Sequence, residues 1–348
     1  MQKKAKKSNN IKGRLPAEWE KQTAVQLTWP HAKNIWQEDF PKIINLFVSL
    51  SKIMISHTRL IIICLRASDI KSHFTEKEKK RIIFVEAKSN DIWARDHSLI
   101  SLIADENIFL LNFIFNGWGL KFAAHHDNLL NLKLKQSSIF SEMVSFKDMS
   151  IVFEGGSIDS NGKGEALTTS TCIFSLNRNE HIPKADLIRY LKDTFNLSKL
   201  HILNHGYLQG DDTDSHIDML ARFVDETTIV HAICNDRNDE HYESLQKMKF
   251  ELEKISDIQG NKYKLIGIPI GKVIHEDARL PASYINFLLI NDAVLVPQYN
   301  VSEDKIAVDI FSELFKDRVI IPIDCTLLIR QGGSLHCATM NFYEGTLN

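Results

Sequence analysis

The sequence has few of the residues that interrupt a chain: 15 Gly and 8 Pro in 348 residues, with no Ser/Gly/Pro-rich stretch. That composition excludes low-complexity disorder and offers no flexible linker. Net charge is equally scarce, with 42 Lys+Arg against 44 Asp+Glu, and beyond the first seven residues no long Lys/Arg-dense stretch follows. Nucleic acid is therefore not an expected partner, because phosphate binding needs a basic face. Long apolar runs are missing too. The longest, such as Leu60 to Leu65, fall far short of the ~20 residues that span a bilayer, so no membrane partner is expected. The opening from Met1 to Lys7 is basic and leads into Ser8-Asn9-Asn10 rather than an apolar stretch. It reads as part of a flexible tail over 1–14, not as a secretory signal, and the expected location is cytoplasmic.

Cysteine is scarce and odd in number. The five, at 64, 172, 234, 325 and 337, show neither disulfide-framework spacing nor a CxxC pair, so reduced thiols are expected. Four lie in apolar, strand-like runs and read as small buried hydrophobes. Cys337 differs, because it follows Gly332-Gly-Ser-Leu-His336.

Periodicity dominates what is present. Apolar spacings of three and four predict helices over about 38–57, 183–195, 239–256 and 303–315. Each precedes a β-branched run read as a buried strand: Arg59 to Cys64, Leu200 to Leu203, Tyr263 to Ile270 and Arg318 to Ile323. Five further segments share a polar or glycine-containing opening into a strand: 91–96, 153–157, 214–218, 283–287 and 332–337. Four continue through hairpin residues (104–107, 160–164, 225–227, 291–292) into a second strand. The fifth runs out of chain, and Thr23 to Trp29 is the apolar run left to supply its partner. A layout recurring about every 50–70 residues indicates repeated supersecondary modules arranged radially. Length alone allows two domains, but the repeat uses up residues 15–348 as one. The stretch 121–150 is the least regular and reads as an inserted loop or short helix.

In a radial fold, equivalent positions of successive modules meet on one axis. Asp96, Glu154, His216, Asp218 and Cys337 occupy such positions, which would gather a thiol, an imidazole and three carboxylates in one pocket. His216 and Asp218 are two apart, the strand spacing that shares a face. A Cys–His pair supplies a nucleophile and a proton shuttle. Three carboxylates would weaken a thiol as a nucleophile for peptides, but they suit a planar guanidinium, which carboxylates bind bidentately. Taken singly, Asp96 reads as an Arg-paired turn residue, Glu154 as a hairpin-start carboxylate and Cys337 as a core thiol; their joint recurrence is what favours a site. A metal reading, with His216 and Asp218 joined by His201 and His205 or by His125 and His126, lacks HxH or HExxH spacing. A calcium loop from Asp212 fails as well, since Ile217 and Phe223 stand where Gly and Glu are required.

These segments resemble the agmatine deiminase branch of the guanidino-group-modifying superfamily, which includes the Porphyromonas-type peptidylarginine deiminases. The resemblance runs through Leu15-Pro-Ala-Glu-Trp-Glu20, Thr28-Trp-Pro30, Trp93-Ala-Arg-Asp96, Phe115-Asn-Gly-Trp-Gly119, Glu154-Gly-Gly-Ser-Ile158, Asn177-Arg-Asn179, Asp214-Ser-His-Ile-Asp218, Ala282-Ser-Tyr-Ile-Asn-Phe287 and Gly332-Gly-Ser-Leu-His-Cys337. It implies a five-bladed, pseudo-fivefold α/β propeller of ββαβ modules around a central site. It also implies Cys337 as nucleophile and His216 as acid and then base. Asp96 and Asp218 would clamp the guanidinium, with Glu154 orienting His216 or sharing the clamp. No metal or organic cofactor is implied, and the reaction would turn agmatine and water into N-carbamoylputrescine and ammonia. Trp93 and Trp118 suit walls against an aliphatic cation and equally suit a core.

The chain departs from the family pattern at Gln331 and Ser334, at His97-Ser98-Leu99 and over 338–342. Those departures bear on the substrate's tail rather than on its guanidinium. The competing readings are a deiminase or amidinotransferase acting on another guanidino compound, such as peptidyl-arginine, and an inactive guanidine- or polyamine-binding protein. No Arg stands out in the sequence to hold an α-carboxylate. A homo-oligomer is a general prior, not a reading of these residues.

Overall fold

The computed structural model describes residues 13–31, 33–105 and 107–348, leaving aside the side chains of residues 33 and 34. The basic opening, Met1 to Lys7, therefore lies outside the described residues. Gly13 and Arg14, assigned above to the tail, belong to the folded body. Arg14 exchanges backbone hydrogen bonds of 2.9 Å with Ile103, and its guanidinium holds Glu20 at 2.6 Å.

The repeating layout is a set of α/β blades. In the blade that shows it most plainly, Ala221–Phe223 pairs antiparallel with Thr228–Ile233. The turn between them is fixed by Asp225, whose carboxylate accepts the Thr227 N–H at 2.7 Å. Helix Tyr242–Lys254 then buries Leu245, Met248 and Leu252, a spacing of three and four, against this sheet. The chain returns as Lys264–Pro269, parallel to the middle strand. The same ββαβ order recurs with Asp159–Ser160, Glu165–Thr169, helix Lys184–Phe195 and Lys199–Leu203. It recurs again with Leu288–Ile290, Ala293–Gln298, helix Glu303–Leu314 and Val319–Asp324.

The last blade closes as the leftover apolar run required. Gln22–Thr28 pairs antiparallel with Thr339–Tyr343, placing Val25 opposite Asn341, and continues through helix Phe40–His57 to Arg59–Cys64. The N- and C-terminal segments thus share one sheet, and the architecture is the five-bladed, pseudo-fivefold α/β propeller. Among the described residues no helix is long and apolar enough to cross a membrane.

Three sequence expectations need correction. Of the two readings of 121–150, the short helix holds and the inserted loop does not. The stretch contains the first blade's helix, Leu130–Gln136, and leads into its third strand, Val144–Val152, parallel to Ile108–Ile114. The signal was weak because that helix is two turns long and that strand is mostly half-exposed. The strands after the helices are also less buried than read: only Arg59–Cys64 is buried along nearly its whole length, being flanked on its far side by Ile82–Glu86. The others are outer edges with one neighbour, and Val319–Asp324 is exposed at three of its six residues.

Finally, the polar openings do lead into strands, but they are themselves single helical turns: Ala94–His97, Gly155–Ser157, Ile217–Met219 and Tyr284–Asn286. Short polar side chains favour this, because they hydrogen-bond nearby backbone in competition with a ladder. Ser283, for instance, accepts the Ile285 N–H at 3.2 Å. The turns form a closed ring. Gly156 N–H donates to Asp96 (3.0 Å), the turns at 155–157 and 217–219 are in contact, Ser283 donates to the Met219 carbonyl (2.7 Å), His336 N–H donates to Asn286 Oδ1 (2.9 Å), and Arg95 N–H donates to the Cys337 carbonyl (3.0 Å).

Candidate active site

Because each ring segment opens one blade, its side chains point to a common centre, and all five residues named for chemistry meet there. The Cys337 sulfur lies 3.7 Å from Asp218 Oδ2 and receives the Asn286 side-chain N–H at 3.2 Å. Burial, joined by the charges of Asp218 and Asp96, pushes the Cys337 thiol well above its ordinary range, against smaller help from hydrogen bonds of Ser334 and Asn286. That direction favours the thiol form of Cys337.

His216 is fully buried between two carboxylates, with Nδ1 3.5 Å from Asp96 Oδ1 and Nε2 3.5 Å from Glu154 Oε2. Neither ring nitrogen has a hydrogen-bond partner within reach. Burial alone would favour neutral imidazole, yet the neighbouring anions outweigh it and raise the His216 pKa well above normal. Asp96 and Glu154 carry this effect at neutral pH, because Cys172, the other contributor, is itself held as a thiol by burial. Strand alternation is not what brings His216 and Asp218 together. His216 precedes the 217–219 turn, and Asp218 sits inside it.

Convergence at this density needs a residue without a side chain. A Cβ on Gly156 would lie 2.6 Å from His216 Nδ1, 2.8 Å from Asp96 Oδ1 and 3.1 Å from Asp218 Oδ2. Gly333 plays a similar part at the mouth, where a Cβ would come within 2.5 Å of the Trp93 ring. Gly156 and Gly333 thus have a packing reason, whereas Gly332 beside the latter adopts a left-handed backbone at φ 82°.

Asp96 accepts two hydrogen bonds, from Gly156 N–H and from the Trp118 indole N–H at 2.9 Å. Burial pushes its carboxyl up to about 6; His216 and Trp118 pull against this, while Asp218 and Glu154 add to it. Trp118 reaches Asp96 from a left-handed backbone at φ 55°, a costly conformation for a bulky residue and one that recurs at functional sites. Trp93 and Trp118 are buried and also line a cavity of about 190 Å³, with Asp96, Cys337, Phe122, Ile329, Asp91, Asp212 and Arg330 among its walls. The two tryptophans are therefore core residues and cavity walls at once.

Several participants were not singled out from sequence. Arg178 grips Glu154 through Nε at 2.9 and 3.0 Å and also pairs with Asp214. The pairing holds the Glu154 carboxyl below its usual range despite complete burial. Cys172, read as a core thiol, lies 3.8 Å from Glu154 Oε2. Asn286 was the anchor of the fourth repeating segment, and that position was the signal for its role beside Cys337. His336 and Glu18 fall inside quoted motifs but join the site only through folding. All five cysteines are free and buried.

The histidines weighed as metal ligands are engaged elsewhere: His201 with Glu165 and His205 with Glu251, each at 2.9 Å, while His125 and His126 pack on one another. Among the described residues, one grouping of three possible ligand atoms, from Glu154, Cys172 and His216, lies within 4.8 Å. Arg178 already occupies that carboxylate.

Comparison with known proteins agrees with this geometry. A model of the Porphyromonas-type peptidyl-arginine deiminase family matches residues 14–342. A solved structure from Porphyromonas gingivalis, whose name proposes an arginine deiminase, is 42% identical with a TM-score of 0.92 and covers 96% of this chain and 99% of that one. The structure of C. jejuni agmatine deiminase with substrate bound is 37% identical with a TM-score of 0.88, covering 97% of each chain. The agmatine deiminase of Pseudomonas aeruginosa is 26% identical over 351 residues, 94% of each.

Proposed function

The chain belongs to the Porphyromonas-type peptidyl-arginine deiminase family, and from that premise we propose that it is an agmatine deiminase. It is a hydrolase of guanidino C–N bonds. The observation that carries the reading is the surplus of buried carboxylate around Cys337: Asp218 lies 3.7 Å from the sulfur, the charge of buried Asp96 also acts on it, and Asp218 Oδ1 is buried with no hydrogen-bond partner. A planar cation satisfies such a pair bidentately.

In this mechanism the guanidinium settles between Asp96 and Asp218, and its charge offsets theirs, so the Cys337 thiol ionises and gives up its proton to solvent. The sulfur attacks the guanidinium carbon, His216 delivers a proton to the departing amino group, and ammonia leaves an amidino group on sulfur. His216, now neutral, takes a proton from water as the water adds to that carbon. Collapse breaks the C–S bond, returning the thiol and giving N-carbamoylputrescine. Glu154 orients His216 throughout. Trp93, Trp118 and Phe122 suit a short aliphatic chain, and the carboxylates of Asp91 and Asp212 suit its terminal amine. The free thiols support a cytoplasmic location.

One observation favours a second reading. Arg330, which had no sequence signal, lines the same cavity and would meet a carboxylate on arginine or a C-terminal arginyl peptide. Asp39 already neutralises it at 2.9 Å, which is why agmatine is preferred. The test is ammonia release from agmatine, arginine and a blocked arginine peptide, with Cys337→Ala as control. Agmatine should be turned over best and only by the unmodified enzyme; equal turnover of the peptide would overturn the choice.

A further inference from the structure

Beneath the ring of turns lies a second buried ionic cluster that takes no part in the mechanism above. His336, the residue before the nucleophile, is 3% exposed. Its Nδ1 lies 2.8 Å from Asp218 Oδ2 and its Nε2 lies 2.6 Å from Glu18 Oε2. Glu18 is fixed in turn: Oε1 accepts the Leu289 N–H at 2.8 Å, and Oε2 lies 2.8 Å from the fully buried Arg222 guanidinium and 3.6 Å from that of Arg95. Arg222 is also held by Asp159 at 3.2 Å and by the Phe287 carbonyl, with its guanidinium 4.2 Å from the Phe287 ring centre. The cluster therefore draws on an N-terminal residue and on several blades.

Resting on the functional reading above, we infer that His336 is a positioning residue for the guanidinium clamp: anchored by Glu18, it fixes Asp218 Oδ2 so that Oδ1 is presented to substrate. Asp218 has no freedom to serve both sides by rotation. One of its oxygens is committed to His336, and the other is buried with no partner. A carboxylate held this way loses little entropy when the guanidinium arrives. The same contact, with the charges of His336, His216 and Arg222, outweighs the burial that would otherwise protonate Asp218 and keeps its carboxyl below the usual range. Glu18 belongs to the motif Leu15-Pro-Ala-Glu-Trp-Glu20, and that motif thereby delivers the far end of the brace.

The test is agmatine binding, measured by calorimetry on Cys337→Ala protein, in which substrate is not consumed. Glu18→Gln and His336→Gln are compared there, alone and with Asp218→Asn. Each single change should weaken binding about 10-fold, the size of one charge-assisted hydrogen bond. In the presence of Asp218→Asn neither should weaken it further by more than about twofold, because both act through that carboxylate. In the Cys337 enzyme the same variants should raise KM more than they lower kcat. A purely structural role would lower the melting temperature and act equally in either background, and that result overturns the inference. So does unchanged binding in both variants while the unsubstituted clamp still takes agmatine, an outcome that leaves the proposed function standing. If no guanidine binds or releases ammonia at all, the functional reading falls and this one with it. Glu18→Gln, the milder change, carries the comparison should His336→Gln fail to fold.

Discussion

The Asp218 carboxylate lies 3.7 Å from the Cys337 sulfur, and its charge adds to the effect of burial on that thiol. Burial and the Asp218 and Asp96 charges all favour the thiol. Removing one of those charges with Asp218→Asn should lower the Cys337 pKa. Alkylation by iodoacetamide near pH 7.5 should then speed up, about tenfold for a pKa lower by one. The reference protein should alkylate slowly there and faster as pH rises. A thiolate already formed near neutral pH in the empty enzyme would contradict this and point to a resting Cys⁻/His⁺ pair.

Asp96 gives the reaction an acid limb. Its pKa is raised by burial to about 6, and only the carboxylate can clamp a cation, so kcat/KM should fall as pH drops through about 6. The Trp118 indole N–H hydrogen-bonds the carboxylate and opposes the rise. Trp118→Phe therefore moves the limb to higher pH while leaving the aromatic wall largely in place. Steady-state rates from pH 5 to 8 decide it, and a limb that stays put or shifts downward would show that another group controls it.

Blade helices and hairpin turns were legible because both are local: apolar spacing reports helix 242–254, and Asp225 with Thr227 reports its hairpin. The closing pair Gln22–Thr28 and Thr339–Tyr343 was legible only by elimination, as a partner missing at one end and a run left over at the other. The site residues were found because they sit at equivalent places in the repeat, which a radial fold brings together. Arg178, His336 and Glu18 could not be found that way. Their roles depend on hydrogen bonds spanning 24, 118 and 318 positions of chain, and nothing local in an arginine or a histidine says which carboxylate it will meet. The first blade was only partly read, its short helix as one of two alternatives and its third strand not at all, because a two-turn helix and a half-exposed strand carry too little pattern.

Gly156 offers a sharp steric test. In Gly156→Ala the new methyl would sit 2.6 Å from His216 Nδ1 and 2.8 Å from Asp96 Oδ1, so imidazole or carboxylate must move. A displacement approaching 1 Å costs about 100-fold in a reaction that depends on alignment. Activity should fall by about that factor while far-UV circular dichroism stays unchanged. Activity within about threefold of the parent would mean that the three side chains are less tightly packed than described.

The pairing of Arg178 with Glu154 predicts a stability effect that depends on which partner is removed. Arg178 is 2% exposed and Glu154 1% at their side chains, and the pair is supported by Asp214 and the Thr213 carbonyl at 2.9 Å. Arg178→Ala strands a buried carboxylate, which costs about 3–5 kcal/mol. Arg178→Lys restores charge but not the planar set of donors that reaches Glu154, Asp214 and the Thr213 carbonyl together, so it should recover only part of the loss. Combining Arg178→Ala with Glu154→Gln removes the stranded charge, so the double variant should unfold at a higher urea concentration than Arg178→Ala alone. Activity should not return with it, since His216 has lost the carboxylate that orients it. Losses that simply add would mean that the two residues stabilise the blade independently and that Arg178 does not exist to hold Glu154 ionised.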